Sequence, residues 1–424
     1  VYTEFAMDEV VTRLYETYPF PRFTTLSVPS PEGYALGRLN YVLRRRRESR
    51  LRQDFTMWIA GCGTMQTALW AASFPKARIL ATDLSEPSLR VAARAVSELG
   101  ARNVEFLRED LFARPPESRF DLIGCTGVLH HLSDPARGLR KLHEHLAPGG
   151  AARLMVYNSL HRHEVNLFQE LLEVLVPRTA DLTTRRSMAL KLVQVLAASP
   201  NCEPLHTFIR SFDWNGNPEL FADTLLHPRE VAYTVDAVDE LVGRAGLRRV
   251  AWVNRHAWEL APYTQDPEML ERFSRLNARG RDKMIQLMGG IRSPLMDFYV
   301  ESEREPAQAD YSEEEFLALR LRLFSGYRDL RIENGRVVSQ AEVAGYSVSG
   351  DQIICEATSE GGNPLPARLV LNAEWERALK AFDGERDVRS ILLELSPRYG
   401  REALLALISR LLSTDAPMLF PVFD

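Results

Sequence analysis

Cysteine is scarce in this chain: four in 424 residues, Cys62, Cys125, Cys202 and Cys355, far apart and without metal-ligand or redox spacing. That usage excludes a disulfide scaffold and a cysteine-built zinc centre, and it fits thiols kept reduced in a cytoplasm. No apolar run approaches the length that spans a bilayer, and no basic-then-apolar leader opens the chain, so neither a membrane span nor a secretion signal is expected. The first residue is valine, which suggests trimming of the start. A phosphate loop ending in Gly-Lys-Ser/Thr, a serine elbow between glycines and an HExxH helix are all missing, and no catalytic metal is expected. A net charge of -5 does not point to nucleic acid as a partner. The one basic run, Arg44 to Arg47 followed by Arg50, lies in a helical-looking segment and reads first as a solvated face, with a phosphate contact or an acidic-substrate clamp as the other readings.

What is present is ordinary globular material, 45% hydrophobic and 26% charged, in a chain long enough for more than one core. Five short apolar runs, Thr56 to Ala60, Arg78 to Thr82, Val104 to Leu107, Leu122 to Cys125 and Ala151 to Val156, alternate with amphipathic or turn-rich segments. That alternation predicts a parallel sheet with helices on both faces, a doubly wound α/β architecture. Such sheets bind ligands beyond the carboxyl ends of their strands, where the chain order reverses. At that place stands WIAGCGTMQTALW, Trp58 to Trp70, in which Gly61 and Gly63 follow an apolar run and precede a helical one. Glycine allows a tight turn and lets a ligand lie against bare backbone; a ligand-free strand-to-helix connection is the bland alternative.

Asp83 follows the second strand, about twenty residues beyond the first glycine, where a carboxylate can accept hydrogen bonds from both ribose hydroxyls of a nucleoside. It could equally cap a helix. Asp110, after the third strand, offers a second acceptor suited to an exocyclic adenine amine. Three coincidences at successive strand ends favour a ligand site over chance.

The run AGCGT, TDLS, EDL, FDLIGCTGVLHHLSDP and LHEHLAPGGAARLMVY resembles the class I S-adenosylmethionine-dependent methyltransferases, strongly over residues 50 to 156 and more loosely to about residue 303. The resemblance implies a doubly wound, mostly parallel seven-stranded sheet, a Rossmann-like methyltransferase fold. It implies S-adenosylmethionine as cofactor, held by Tyr18, Arg22, Ala60, Gly61, Cys62, Gly63, Thr64, Asp83, Leu84, Asp110, Leu111, Thr126 and Gly127. Two departures stand out: Ile59 occupies a position where the family often has an acid, and Met65 one where a third glycine is usual. Arg22, in the proline-stiffened loop YETYPFPRF, could take over the cofactor's carboxylate, with Tyr15 or Tyr18 closing above; that loop could also merely pack on the sheet. Without the third glycine the dinucleotide fingerprint is incomplete, which leaves an NAD-dependent oxidoreductase as a minor alternative.

Methyl transfer is an in-line displacement in which the protein mainly aligns the partners, so the fold does not dictate a catalytic side chain. His130, His131 and Tyr157 are the catalytic candidates, the histidines more as walls of the pocket than as bases. Tyr15, His161, Arg162, His227 and Tyr233 are the substrate-binding candidates. The expected organisation is an N-terminal helical cap over 1–55, a methyltransferase domain over 56–303 with a helical cover at 157–245, a linker and helix at 304–329, and a small winged-helix-like domain at 330–424. A long helix is predicted around Pro267 to Met288. The C-terminal unit resembles domains that hold a peptide by strand addition, while a homodimer contact or plain stabilisation is the competing reading. The expected activity is methylation of nitrogen or oxygen in a peptide, protein or small metabolite, with a non-catalytic cofactor-binding regulator as the alternative.

Overall fold

The computed structural model describes residues 4–22, 25–29, 33–114, 118–289, 294–333, 336–357, 367–413 and 418–423. Helix α1 (Glu4–Thr17) leads through the proline loop to strand β1 (Thr25–Pro29) and helix α2 (Tyr34–Val42). The predicted alternation follows as β2 (Thr56–Ala60), α3 (Gln66–Ser73), β3 (Arg78–Asp83), α4 (Glu86–Glu98), β4 (Val104–Arg108), β5 (Phe120–Thr126), α5 (Pro135–Glu144) and β6 (Leu146–Asn158). Local chemistry sets the helix starts. The Ser85 hydroxyl accepts from the Ser88 N–H ahead of α4, and the Asp134 carboxylate accepts from the Arg137 N–H ahead of α5, each with proline in the first turn.

Between β6 and the two-residue strand β7 (Ala232–Tyr233) lie four cover helices, α6 (His163–Leu175), α7 (Leu182–Ala197), α8 (Leu205–Arg210) and α9 (Pro218–Leu225). They have their own core around Phe168, Leu172, Trp214 and Phe221, into which α1 inserts Leu14. Helix α10 (Val235–Arg244) returns to β8 (Leu247–Trp252), and α11 (Pro267–Ser274) and α12 (Ala278–Leu287) precede β9 (Leu295–Ser302). The single helix predicted around Pro267 to Met288 is thus two: Asn277 takes an extended backbone and accepts from the Gly280 N–H at 2.8 Å, ending one helix and capping the next.

The strand order is β4-β3-β2-β5-β6-β9-β8, seven strands on one path, with β7 paired to the end of β6. All neighbours from β4 to β6 are parallel, and β9 runs antiparallel to both β6 and β8. From β2 the chain goes first to one side, through β3 and β4, and then to the other, through β5 and β6. The order therefore reverses between β2 and β5, and the glycine bend sits at that reversal.

Beyond β9 come α13 (Glu313–Leu317), β10 (Arg320–Leu323), β11 (Gly326–Glu333), β12 (Arg336–Ala344), β13 (Tyr346–Ser349), β14 (Gln352–Ala357), β15 (Ala367–Asn372), α14 (Glu376–Lys380), β16 (Asp383–Asp387), α15 (Val388–Tyr399), α16 (Arg401–Ser413) and β17 (Leu419–Pro421). They form three small antiparallel sheets, β16-β10-β17, β13-β14-β15 and β1-β11-β12. The last joins the N-terminal cap to the C-terminal part, because Thr25–Pro29 pairs with Tyr327–Arg331. Strand β11 runs across residue 330, where the sequence placed a boundary. In the sequence, Asn334–Gly335 and Ser349–Gly350 predict two turns between short strands; the second joins β13 to β14, and the first lies outside the described residues.

The basic run is not a solvated helix face. Helix α2 ends at Val42, and Arg44 to Arg46 turn toward acids further along the chain. Arg44 pairs with Asp310, Arg45 with Glu301 at 2.7 Å in the interior, and Arg46 with both oxygens of Glu315 at 2.9 and 3.0 Å. The Arg46 guanidinium also lies over the Tyr311 ring.

Candidate functional site

Strand β2 ends in Ala60, and the next turn holds Gly61 at φ +69° and Gly63 at φ +56°, backbone that L side chains rarely adopt. Space is short as well. A Cβ on Gly61 would run into the Val128 side chain, and one on Gly63 would stand 2.8 Å from the Phe20 carbonyl oxygen. The proline loop therefore lies directly on the bend, and the Thr64 hydroxyl donates to the Pro21 carbonyl. Asp83 braces the same turn: one carboxylate oxygen accepts from Gly63 N–H at 2.9 Å and the other from Ser85 N–H at 2.8 Å. Burial pushes the Asp83 carboxyl above its ordinary value, against the pull of those backbone donors.

The other cofactor candidates divide by exposure. Ala60 and Cys62 are buried, so only their backbone can face a ligand, and burial pushes the Cys62 thiol up. Thr126 accepts from the Gln66 amide at 2.5 Å, beside half-buried Gly127. Leu84 and Asp110 are exposed and Leu111 is half-buried; the Asp110 carboxylate accepts from Phe112 N–H at 2.7 Å and so caps a short turn. Arg22 pairs at 3.6 Å with Glu219 of α9, and Tyr18 packs against the cover's core.

Beyond the ends of β5 and β6 lies a cluster of buried polar side chains, a chamber only in being walled off from water. His131 and His227 stack with ring centroids 3.7 Å apart, and His130 lies 3.9 Å from the Tyr157 ring. Nδ1–H of His131 donates to the Arg229 carbonyl at 3.0 Å, while Nδ1 of His227 accepts from Arg229 N–H at 3.2 Å. Burial holds all three rings neutral, pushing His131 down to about 3 and His130 and His227 well below their ordinary range. Tyr15 from α1 and Tyr157 from β6 donate their hydroxyls to the two carboxylate oxygens of Asp223 on α9, at 2.8 and 3.3 Å. Arg162 covers the Tyr157 ring at 3.8 Å and binds Glu230, its Nε at 2.7 Å. Burial pushes the Asp223 carboxyl up to about 6, opposed by the Tyr15 hydrogen bond and the Arg162 charge.

The fold thus gathers His130, His131, Tyr157, Tyr15, Arg162 and His227, residues up to 212 positions apart. It does not gather two others. His161 is half-buried in the turn after β6, its Nε2 without a hydrogen-bond partner, and Tyr233 is packed into the hydrophobic core under the sheet, where burial pushes its hydroxyl up to about 12. Asp223 and Glu230 were not singled out from the sequence. The signal was there in LFADTLL, an acid inside an otherwise apolar helix, which is costly unless the fold supplies partners. Among the described residues no group of three or more His, Cys, Asp or Glu is placed to hold a metal ion.

A family model described as "Methyltransferase domain" matches residues 58–152, the stretch from β2 into β6. An uncharacterised protein of Synechococcus sp. is 30% identical over 300 residues, covering 67% of this chain and 69% of that protein. A trans-aconitate 2-methyltransferase of Azoarcus sp. is 33% identical over 111 residues, 26% of this chain and 42% of that enzyme. Among solved structures, PKMT2 from Rickettsia typhi in complex with AdoHcy matches with a TM-score of 0.59 at 14% identity, covering 95% of this chain and 77% of that one. At that identity the likeness is one of fold.

Proposed function

The chain belongs to the class I S-adenosylmethionine-dependent methyltransferases, and from that premise we propose that it methylates a nitrogen or oxygen atom of a peptide, a protein side chain or a small metabolite by in-line displacement. Its cofactor is S-adenosylmethionine, and the residues present suit that molecule. The observation that carries the site assignment is the Asp83 carboxylate, fixed by Gly63 N–H at the sheet's reversal point. Each carboxylate oxygen keeps a lone pair after its one backbone bond, enough to receive a ribose diol. Gly61 to Thr64 would lie against the nucleoside, with Asp110 and Leu111 on the adenine side and Tyr18 and Arg22 toward the methionine portion. The Arg22 role requires it to leave Glu219.

When bound, the cofactor supplies a methyl carbon already activated by a positive sulfonium. The chain's own contribution is alignment and exclusion of water. The proline loop covers the bend, and the neutral histidines, Tyr15 and Tyr157 wall the space beyond β5 and β6. His130 and His131 act there as walls, since both are held neutral and stack on their neighbours.

The pairing of α15 and α16 with the three-stranded sheet β16-β10-β17 supports a winged-helix-like reading of the last ninety or so residues. We assign it to peptide holding or to self-association in a cytoplasmic enzyme, which sedimentation of the full chain and peptide-array methylation would separate.

Titration calorimetry of the full chain with S-adenosylmethionine and S-adenosylhomocysteine tests the site. Asp83→Ala removes two charge-assisted acceptors and should weaken both ligands by roughly 100-fold or more. Unchanged affinity would remove Asp83, and the bend it braces, from the cofactor site.

A further inference from the structure

Resting on the methyltransferase reading, we propose that the chamber between Tyr15, Tyr157 and Asp223 receives the methyl-accepting group as a protonated amine, and that Asp223 takes its proton.

The charge balance of the chamber is the first observation. Asp223 is 4% exposed, and its hydrogen-bond donors are two neutral hydroxyls, Tyr15 at 2.8 Å and Tyr157 at 3.3 Å. The nearest cation, Arg162, is committed to Glu230, so those two charges cancel. His130, His131 and His227, which complete the walls, are held neutral by burial. Arg229, whose charge also reaches His131 and His227, places its Nε on the His131 carbonyl, and the Asp223 carboxylate is held by neutral hydroxyls, an arrangement that costs folding free energy unless a positive ligand arrives. A carboxylate or phenolate acceptor would be repelled there, and a neutral hydroxyl would leave the charge uncompensated. An ammonium would gain the carboxylate and, because Arg162 and His130 already cover the Tyr157 ring, an aromatic face only from Tyr15.

The second observation is unfilled polar lining. Because His227 Nδ1 accepts a backbone N–H, the proton of the neutral ring is on Nε2, which is buried and has no acceptor. His130, fully buried, has only a loose approach to the Met155 backbone and no formed hydrogen bond at either nitrogen. His227 lies 5.8 Å from the Tyr15 ring and His130 3.9 Å from that of Tyr157, so both pack beside the tyrosines that hold Asp223.

Location is the third. Tyr15 is tied to the cofactor side, its carbonyl accepting from the Ser85 hydroxyl at 3.0 Å, two residues beyond Asp83. The chamber and the glycine bend therefore lie at the same ends of neighbouring strands.

The step balances as follows. The ammonium gives one proton to the Asp223 carboxylate, which becomes the neutral acid. The freed nitrogen lone pair forms the N–C bond to the methyl carbon while the C–S bond breaks, its electron pair staying on sulfur. Asp223 then returns its proton to solvent.

The test is calorimetry on the full chain with two probes, S-adenosylhomocysteine and sinefungin, the analogue that carries a protonated amine where the methyl group would be. Sinefungin should bind about tenfold or more tightly than S-adenosylhomocysteine at pH 8. That preference should fade as pH falls through about 6, where Asp223 gains its proton while the histidines, already neutral, stay so to lower pH. Asp223→Asn should abolish the preference and leave S-adenosylhomocysteine affinity within about twofold; Tyr157→Phe, which keeps the charge, should retain it. A preference absent from the native chain, or one that survives Asp223→Asn and low pH, overturns the proposal. So does transfer of labelled methyl to N-acetylserine amide and not to N-acetyllysine amide. If Asp223→Asn binds neither probe, the native pH dependence and Tyr157→Phe decide. Failure of the native chain to bind either probe would instead remove the methyltransferase reading on which the proposal rests.

Discussion

Desolvation raises the carboxyls of half-buried Asp83 and buried Asp223, yet their partners differ. Asp83 is braced by backbone N–H groups, whereas Asp223 relies on tyrosine hydroxyls. A rise at Asp223 from 3.8 to about 6 corresponds to about 3 kcal/mol favouring the protonated fold. The unfolded chain loses that proton near 3.8 and the folded one near 6, so this group's contribution is full below pH 3.8 and is lost as pH rises to about 6. Asp223→Asn should therefore gain stability over the native chain progressively between those pH values, as read by denaturant unfolding at a series of pH values; a difference that does not change with pH would show that the carboxyl is solvated. At the bend, Gly63→Ala forces a left-handed backbone onto a residue with a Cβ and presses on the Phe20 carbonyl. It should cost roughly 1–3 kcal/mol and weaken cofactor binding together with stability, measured by thermal unfolding and calorimetry.

Among the elements, α1 and the segment after α2 link parts far apart in the chain. Helix α1 contributes Leu14 to the cover's core, Tyr15 to the chamber and Glu16 to an ion pair with Arg108 at 3.0 Å, so three consecutive residues of one turn, about 100° apart, touch cover, chamber and sheet edge. The segment after α2 works through charge. Arg45 and Glu301 are both buried, and burial raises the Glu301 carboxyl while Arg45 and Arg248 pull it down. Arg45→Met leaves Glu301 beside Arg248 alone and should destabilise by about 3–5 kcal/mol; the double variant Arg45→Met with Glu301→Leu should recover much of that loss. Chemical denaturation of the two variants checks it, and equal losses would mean that packing, not charge, is what the arginine provides.

At the level of the whole molecule, the C-terminal part is built onto the N-terminal cap. Tyr34 of α2 belongs to the C-terminal core, and α2 approaches β17 so closely that a Cβ on Gly37 would strike the Pro421 carbonyl. Strand β1 adds a second tie through β11. Gly37→Val should prise β17 away, cost roughly 1–3 kcal/mol and split the heat-unfolding profile into two transitions, the C-terminal one first. A single unshifted transition in scanning calorimetry would show that this docking carries little energy.

The strands were legible because a parallel sheet covered on both faces needs short apolar runs at regular intervals, and Thr56–Ala60 and its neighbours supply them. The glycine bend and Asp83 were legible for a related reason: backbone geometry and strand-end position are local properties, fixed within a few residues of sequence. The break at Asn277, the partners of Arg44 to Arg46 and the meeting of Tyr15, Tyr157 and Asp223 were not legible, since each depends on groups distant in the chain. Sequence by itself determined where the sheet would form and where its ligand end would face. Only tertiary packing decided which buried carboxylate would be held there by neutral hydroxyls, because desolvation depends on every neighbour at once, and local sequence holds few of them.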